Sequence, residues 1–344
     1  MSNFTNPANI AKAIADGSWK PNLYLTNMSI AQFQKPDDFV AYKLFPIIPV
    51  AQPMSSFYKF PKEALARINM ALKPAFGSVP PAVWGQDEDS YSVQVYQGMW
   101  GVDQLSARPF AVAGAPGASD PKVAKALVAA EQTKLFMDVQ FAEKFFKAGV
   151  WANEYSGVSE VPGGNQFYQF DNANSDPIKF IDGLKTQMKR EGRRTPNKLA
   201  LGAKAYEALK NNPAIIERIK YSGSSANPAM VNQNVLAQLF GLDEVLVLES
   251  TYNAAALGEE ANMQYVCDEK GMLLCYTTGR PAIDEPSAGY IFAWDMLGSG
   301  QHMAITNFLG APGTHSEFVE SLCAFDMKKV STDLAVYCKD CVSG

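Results

Sequence analysis

Few residues in this chain are of types that do chemistry, and their spacing keeps them apart. There are two histidines, His302 and His315, with Pro312 and Gly313 between them. A zinc site needs such side chains joined by carboxylates or thiols at ligand spacing. No such set joins the two histidines at ligand spacing, so both read as polar loop residues. Cys338 and Cys341 form a CxxC. A redox pair of this kind belongs at a helix N-terminus, whereas this one lies in β-rich sequence near the chain end. A zinc ribbon would need a second pair, which Cys267, Cys275 and Cys323 do not supply. These thiols read as buried and structural. Asp87-Glu88-Asp89 offers paired carboxylates, but a turn beside a solvated strand end accounts for them. The densest basic run, Lys189-Arg190-Glu191-Gly192-Arg193-Arg194, falls at a helix C-terminus, where the dipole favours cations. It suits a solvated or intersubunit salt bridge better than a phosphate. Gly298-Ser299-Gly300 is half a glycine fingerprint without a strand–helix unit around it, and the GxxxxGK[ST] and GxSxG patterns are missing. The residues give no catalytic constellation, no metal site and no cofactor site.

Composition sets the outer limits. The chain has 344 residues, 47% hydrophobic and 19% charged, with a formal net charge of −5. That is ample for a core and for one large domain with excursions or two domains. An acidic balance argues against a nucleic-acid reader, whose footprint is a basic face. No stretch approaches the roughly 20 apolar residues a membrane helix needs. The start, MSNFTNPANIAKAIADG, lacks the basic and apolar regions of a signal peptide. Five cysteines without a framework spacing suit a reducing cytoplasm.

The element that organises the rest runs from Asp120 to Gly149. Asp120 is a good N-cap, Pro121 fits the first helical position, and Gly149 is a natural stop. Val123, Leu127, Ala130, Met137, Phe141 and Phe145 recur at spacings of three and four, with Lys134 as a break. Leu135, Val139, Ala142 and Phe146 widen that face. The spacing predicts one helix of roughly 40 Å, a spine on which sheets are laid.

Before the spine, residues 1 to about 40 read as an arm with a short helix at Ala8–Ala15. The prolines of Leu44–Val50 make that segment an edge or extended run. Ser55–Phe60 alternates as a strand, and Tyr91, Val93 and Val95 start another toward Trp100. Between them lies a long irregular tip, so residues 52–102 read as a protruding hairpin. Its Leu65, Ile68, Met70, Leu72, Phe76, Val83 and Trp84 are too many apolar side chains for a loop in water. They form either a small satellite core or a contact with another subunit.

After the spine, 150–175 reads as irregular. Asp176-Pro177 opens a second capped helix, with Ile178, Ile181, Leu184 and Met188 on one face. Strands at Lys198–Leu201, Glu244–Glu249 and Gly271–Thr278 alternate with helices near Ala203–Lys210, Pro213–Lys220 and Val231–Phe240. This half reads as a compact α/β layer. Gly289–Asp295, Glu317–Asp326 and Lys329–Val342 close the chain as strands that return beside the spine, leaving 176–290 as an insertion.

The segment FVAYKLFPIIPVAQPMSSFYKF, Phe39–Phe60, resembles the start of the major capsid proteins of tailed bacteriophages. The order that follows is similar too: a loop return at Ser90–Trp100, the spine helix, the helix–strand unit DPIKFIDGLKTQMKREGRRTPNKLAL, and the closing FVESLCAFDMKKVSTDLAVYCKDCV. The resemblance implies an α+β chain of the Hong Kong 97-type capsid fold. Its parts would be an N-terminal arm (1–40), an extended loop (52–102), a peripheral domain (41–51, 103–175 and 291–344) holding spine helix 120–149, and an axial domain (176–290). It implies self-assembly into the hexamers and pentamers of an icosahedral shell, which encloses double-stranded DNA without sequence-specific binding. It implies no enzyme activity and no cofactor. Its partners would be further copies, a portal, a decoration protein and a separate scaffolding protein, since only some forty residues precede FPIIPV. The location would be the virion capsid, assembled in the host cytoplasm. An encapsulin-type compartment shell is the alternative within the same fold, and a soluble α/β enzyme the alternative outside it.

Overall fold

The computed structural model describes residues 38–59, 66–73, 75–77, 79, 87–103, 121–220, 231–256, 258–280, 285–295 and 303–343. The expected helix at Ala8–Ala15 and most of the arm lie outside them, as do His302 and Gly298-Ser299-Gly300.

The chain enters through a short helix α1 (Ala41–Leu44) and strand β1 (Ile47–Val50), then a two-stranded ribbon of β2 (Met54–Lys59) and β3 (Asp87–Ser92). Strand β4 (Gln94–Asp103) follows, then the spine helix α2 (Pro121–Phe145), β5 (Asn153–Val158) and β6 (Gln166–Tyr168). The next unit holds α3 (Pro177–Gly192), β7 (Lys198–Gly202), α4 (Ala203–Asn211), α5 (Pro213–Lys220), α6 (Gln233–Phe240) and β8 (Glu244–Leu248). A small hairpin, β9 (Thr251–Asn253) and β10 (Met263–Tyr265), precedes β11 (Met272–Cys275), β12 (Gly289–Trp294), β13 (Met303–Leu309), β14 (Ser316–Lys329) and β15 (Ala335–Lys339).

Two sheets carry the body. The main sheet runs β1-β12-β14-β13, with β4 also paired to β14. The second runs β6-β5-β15-β11-β7-β8. Alternate residues of that second sheet face two different cores. Ala200, Leu246, Leu273, Ala335 and Tyr337 pack with Met137, Phe141 and Phe145 of α2 and with Phe325 and Met327 of β14. Leu199, Leu201, Val245, Leu274 and Val336 pack under α3 to α6. A sheet buried on both faces reads as continuous apolar sequence, which is why EVLVL and MLLC look like plain hydrophobic runs.

The spine helix stops at Phe145, a turn short of Gly149, and the chain turns through Gly149 at φ 86°. The Glu154 carboxylate accepts the freed N–H groups of Gly149, Val150 and Trp151 at 2.7, 3.0 and 3.2 Å. Its most buried stripe runs Ala129, Thr133, Met137, Phe141, Phe145. Leu127, expected on that face, is 52% exposed, because it stands about 200° of helix rotation from Ala129. The α3 cap is as expected: Asp176 Oδ1 accepts from Lys179 N–H at 3.1 Å.

Three readings need correction. Asp87-Glu88-Asp89 is not a turn but the first half of β3, held to β2 by the Lys59–Asp89 ion pair. The span 150–175 is not irregular throughout, since it contributes β5 and β6. The closing strand β15 does return beside the spine, with Tyr337 against Phe146, but it does so inside the second sheet, between β5 and β11, and not apart from the strands of 176–290. That sheet therefore joins strands from 103–175 and 291–344 to strands from 176–290. Cys341 sits just past β15, where Asp340 at φ 54° turns the chain. Both Cys338 and Cys341 thus enter one core.

Candidate functional site

The largest exposed apolar side chains expected from the sequence lie between strands β2 and β3 of the ribbon. Strand alternation puts Phe57 and Tyr91 on the ribbon's inner face, and both rings meet Phe292 of β12. Tyr91 stacks on Phe292 at 4.5 Å and Phe57 lies at 5.3 Å. With Val93, Tyr290 and Ala324 they make a small third core on one face of the main sheet. The spine helix packs the opposite face through Phe136 and Phe325. Farther along the ribbon, burial would raise the Asp89 carboxyl, but the Lys59 ammonium and the Ser90 N–H hold it below the usual carboxylate range.

The tip is different. Ile68 is 88%, Met70 90% and Leu72 97% exposed, and Phe76 is fully exposed. They do not form a satellite core with the body. Phe76 also holds φ at 61°, a left-handed conformation that is a true outlier for a bulky side chain. Leu65, Val83 and Trp84 lie outside the described residues. Four of the seven expected side chains are thus exposed to solvent.

The residues of chemically active type lie elsewhere. His315 is an exposed residue of the β13–β14 turn. Arg194 stands 3.6 Å from Glu285 and over the Tyr276 ring. All five cysteines are free and buried, and burial pushes the Cys275 thiol up to about 12 and Cys323 up to about 11. Among the described residues no group of three His, Cys, Asp or Glu side chains is placed to hold a metal. None of their helices is long and apolar enough to cross a membrane. An open depression of about 400 Å³ is lined by Phe170, Lys204, Glu207, Asn212 and Val342. Its buried amide is already used: Asn212 donates to Phe170 O at 2.8 Å and accepts from Ala214 N–H at 2.9 Å.

Sequence reasoning missed two polar residues of the spine that bind the body together. Thr133 Oγ1 meets Ser321 Oγ at 2.7 Å, and Asp138 accepts from the N–H groups of Val40 and Ala41. Nothing in a single sequence distinguishes them from solvent-facing helix residues.

No protein-family sequence model matches the chain. It is 26% identical over 233 residues to the major capsid protein of Burkholderia phage BcepMu, covering 66% of this chain and 68% of that one. Among solved structures it is similar to a phage-related protein from Bordetella bronchiseptica RB50, with TM-score 0.63 and 19% identity, covering 92% of this chain and 96% of that one. The mature capsid of bacteriophage PhiM1 gives a TM-score of 0.52 at 12% identity over 89% and 88% of the two chains. The chain has the Hong Kong 97-type capsid fold. An encapsulin from Synechococcus elongatus PCC 7942 is also similar, at TM-score 0.50 and 9% identity over 90% and 91%. The same fold is thus found in a phage capsid and in an encapsulin.

Proposed function

We propose that the chain is the major capsid protein of a tailed bacteriophage. Copies of it assemble as hexamers and pentamers into an icosahedral shell around double-stranded DNA. The observation that carries this reading is the exposed apolar tip, Ile68, Met70, Leu72 and Phe76, on a capsid-type body. Contiguous exposed apolar surface marks an interaction site, and contacts between unlike patches of identical chains build rings. In this reading the α/β layer around 176–290 gathers at the capsomer axis and the spine-helix unit forms the periphery. The chain contributes surfaces and no catalysis. A portal, a scaffolding protein and a decoration protein are the partners that such a shell implies. Assembly takes place in the host cytoplasm, and the finished location is the virion.

A compartment shell of the encapsulin type is the second reading, favoured by the structural likeness reported above. Negative-stain microscopy of the purified protein tests both, followed by nuclease treatment and analysis of the contents. Closed particles protecting DNA support the phage head, and particles holding a cargo protein support the compartment. A small soluble oligomer under all assembly conditions overturns both.

A further inference from the structure

The ribbon rests on the main sheet through the small third core, and two neighbouring residues of that sheet meet its strand β3 directly. Phe292 of β12 and Asp326 of β14 are register partners, and directly opposed residues of an antiparallel pair project from the same face. Successive residues of β3 sit on them. Tyr91 stacks on Phe292 with 11° between the ring planes. The Ser92 N–H donates to Asp326 Oδ2 at 3.1 Å. Asp326 also reaches past the ribbon. Lys144 Nζ, in the last turn of α2, is 3.9 Å from Oδ1, and Lys328 Nζ is 3.9 Å from Oδ2. The Asp326 side chain is only 12% exposed.

Stacked rings resist separation but allow sliding and rotation. A hydrogen bond to a charged acceptor is directional and roughly twice as strong as a neutral one. The neighbouring backbone offers a pivot, because β3 pairs with β2 while β4 pairs with β14. The changeover falls at Val93, whose N–H donates to Pro53 O at 2.7 Å. We propose that Asp326 is the positioning residue of the extended ribbon: it sets the ribbon's angle to the main sheet and couples that angle to the C-terminal end of the spine helix. This rests on the ribbon being an intersubunit arm, because its angle matters only if its tip must meet a neighbour.

The angle can be measured on unassembled protein, separately from shell formation. Spin labels on Glu88→Cys in the ribbon and Lys147→Cys beyond the spine report it as a distance; both positions are exposed. The five native thiols are buried and do not take the label. Asp326→Ala is expected to widen the distance distribution at least twofold. Lys144→Ala should widen it less, because the Ser92 bond remains. Asp326→Asn keeps an acceptor for Ser92 and should match Lys144→Ala, with thermal unfolding close to that of the parent. Shells from Asp326→Ala are expected to be irregular in diameter. An Asp326→Ala distribution as narrow as the parent's overturns the proposal. So does widening in Asp326→Ala that tracks a loss of thermal stability while Lys144→Ala and Asp326→Asn stay narrow. A parent that never assembles would overturn the shell reading while the distances still decide the role of Asp326.

Discussion

The Asp138 carboxylate, in the spine helix, accepts the Ala41 N–H at 2.9 Å across 97 positions of sequence. It also accepts the Val40 N–H at 3.2 Å, so it caps α1, whose own N-cap residue Val40 has no side-chain oxygen. This bond pins the point where the N-terminal segment joins the body.

Burial pushes Asp138 up from 3.8 to about 6, against the opposing pull of the Ala41 and Val40 N–H groups. The sign follows from proton linkage. Between pH 3.8 and about 6 the folded protein holds a proton that the unfolded chain has lost, so stability falls as pH rises through that window. Asp138 therefore contributes most below its unfolded value, and above pH 6 the loss is complete, at about 3 kcal/mol. In Asp138→Asn, which keeps an acceptor, this part of the slope should vanish. Asp138→Ala should cost about 2–4 kcal/mol by leaving two buried donors unpaired. Chemical denaturation at pH 4, 5, 6 and 7.5 measures both. An unchanged slope in Asp138→Asn would remove Asp138 as its source.

The Thr133–Ser321 hydroxyl pair joins spine to sheet at 2.7 Å, and Thr133 also donates to Ala129 O at 2.8 Å. Thr133→Val and Ser321→Ala should each cost about 1 kcal/mol. The double substitution should cost less than their sum, because both ends of one bond are removed together. Strict additivity in a double-mutant cycle would show that the hydroxyls do not act as a pair.

Cys338 and Cys341 lie in one core, with Cys341 Sγ 3.5 Å from Cys338 O. Burial raises both thiols well above their ordinary value, so neither is poised for redox or metal chemistry. Cys338→Ser and Cys341→Ser, separately, should leave assembly intact at a modest packing cost. Native protein should show no fast reaction with a thiol reagent, and denatured protein all five thiols. Bound zinc lost together with assembly would reverse this reading.

What could be read ahead of the structure was whatever is local. The Asp176 cap, the Ile178–Ile181–Leu184–Met188 face and strands buried on both sides all have short-range signatures. What could not be read depends on long-range pairing. NEYSGV becomes β5 only because β15 runs parallel to it. MAITNFL becomes β13 because the long β14 offers it an edge. Asp138 and Asp326 are ordinary acidic residues until the fold brings Ala41 and Ser92 to them. The apolar tip was legible as an anomaly, since hydrophobic residues without periodicity need a destination. Whether that destination lies inside the chain was not.

Isolated subunits should bind DNA negligibly at physiological salt. The chain carries a formal charge of −5, and phosphate neutralisation by cations supplies most nonspecific affinity. The basic end of α3 is partly engaged, with Arg190 3.4 Å from Glu191 and Arg194 3.6 Å from Glu285. A gel-shift titration that saturated below the micromolar range with sequence preference would contradict an enclosing role.

The most direct consequence concerns the ribbon tip. Replacing residues 62–86 by a short Gly-Ser turn leaves β2, β3 and the Tyr91–Phe292 stack in place. Ile68, Met70, Leu72 and Phe76 stand in water and add nothing to the folded monomer's core. The shortened chain should therefore be soluble, unfold cooperatively near the parent's temperature, and fail to form shells. If each large side chain is buried on a neighbour, it stabilises the assembly by roughly 1.5–3 kcal/mol. Phe76→Ser alone should then weaken assembly measurably without lowering the unfolding temperature; serine loses the apolar contact while bearing a smaller side chain at φ 61°. Calorimetry reads the fold, and sedimentation with microscopy reads the shell. Normal shells from the shortened chain would show that the tip is not an assembly element. A shortened chain that no longer folds would make the tip intramolecular core, against the exposure of those four side chains.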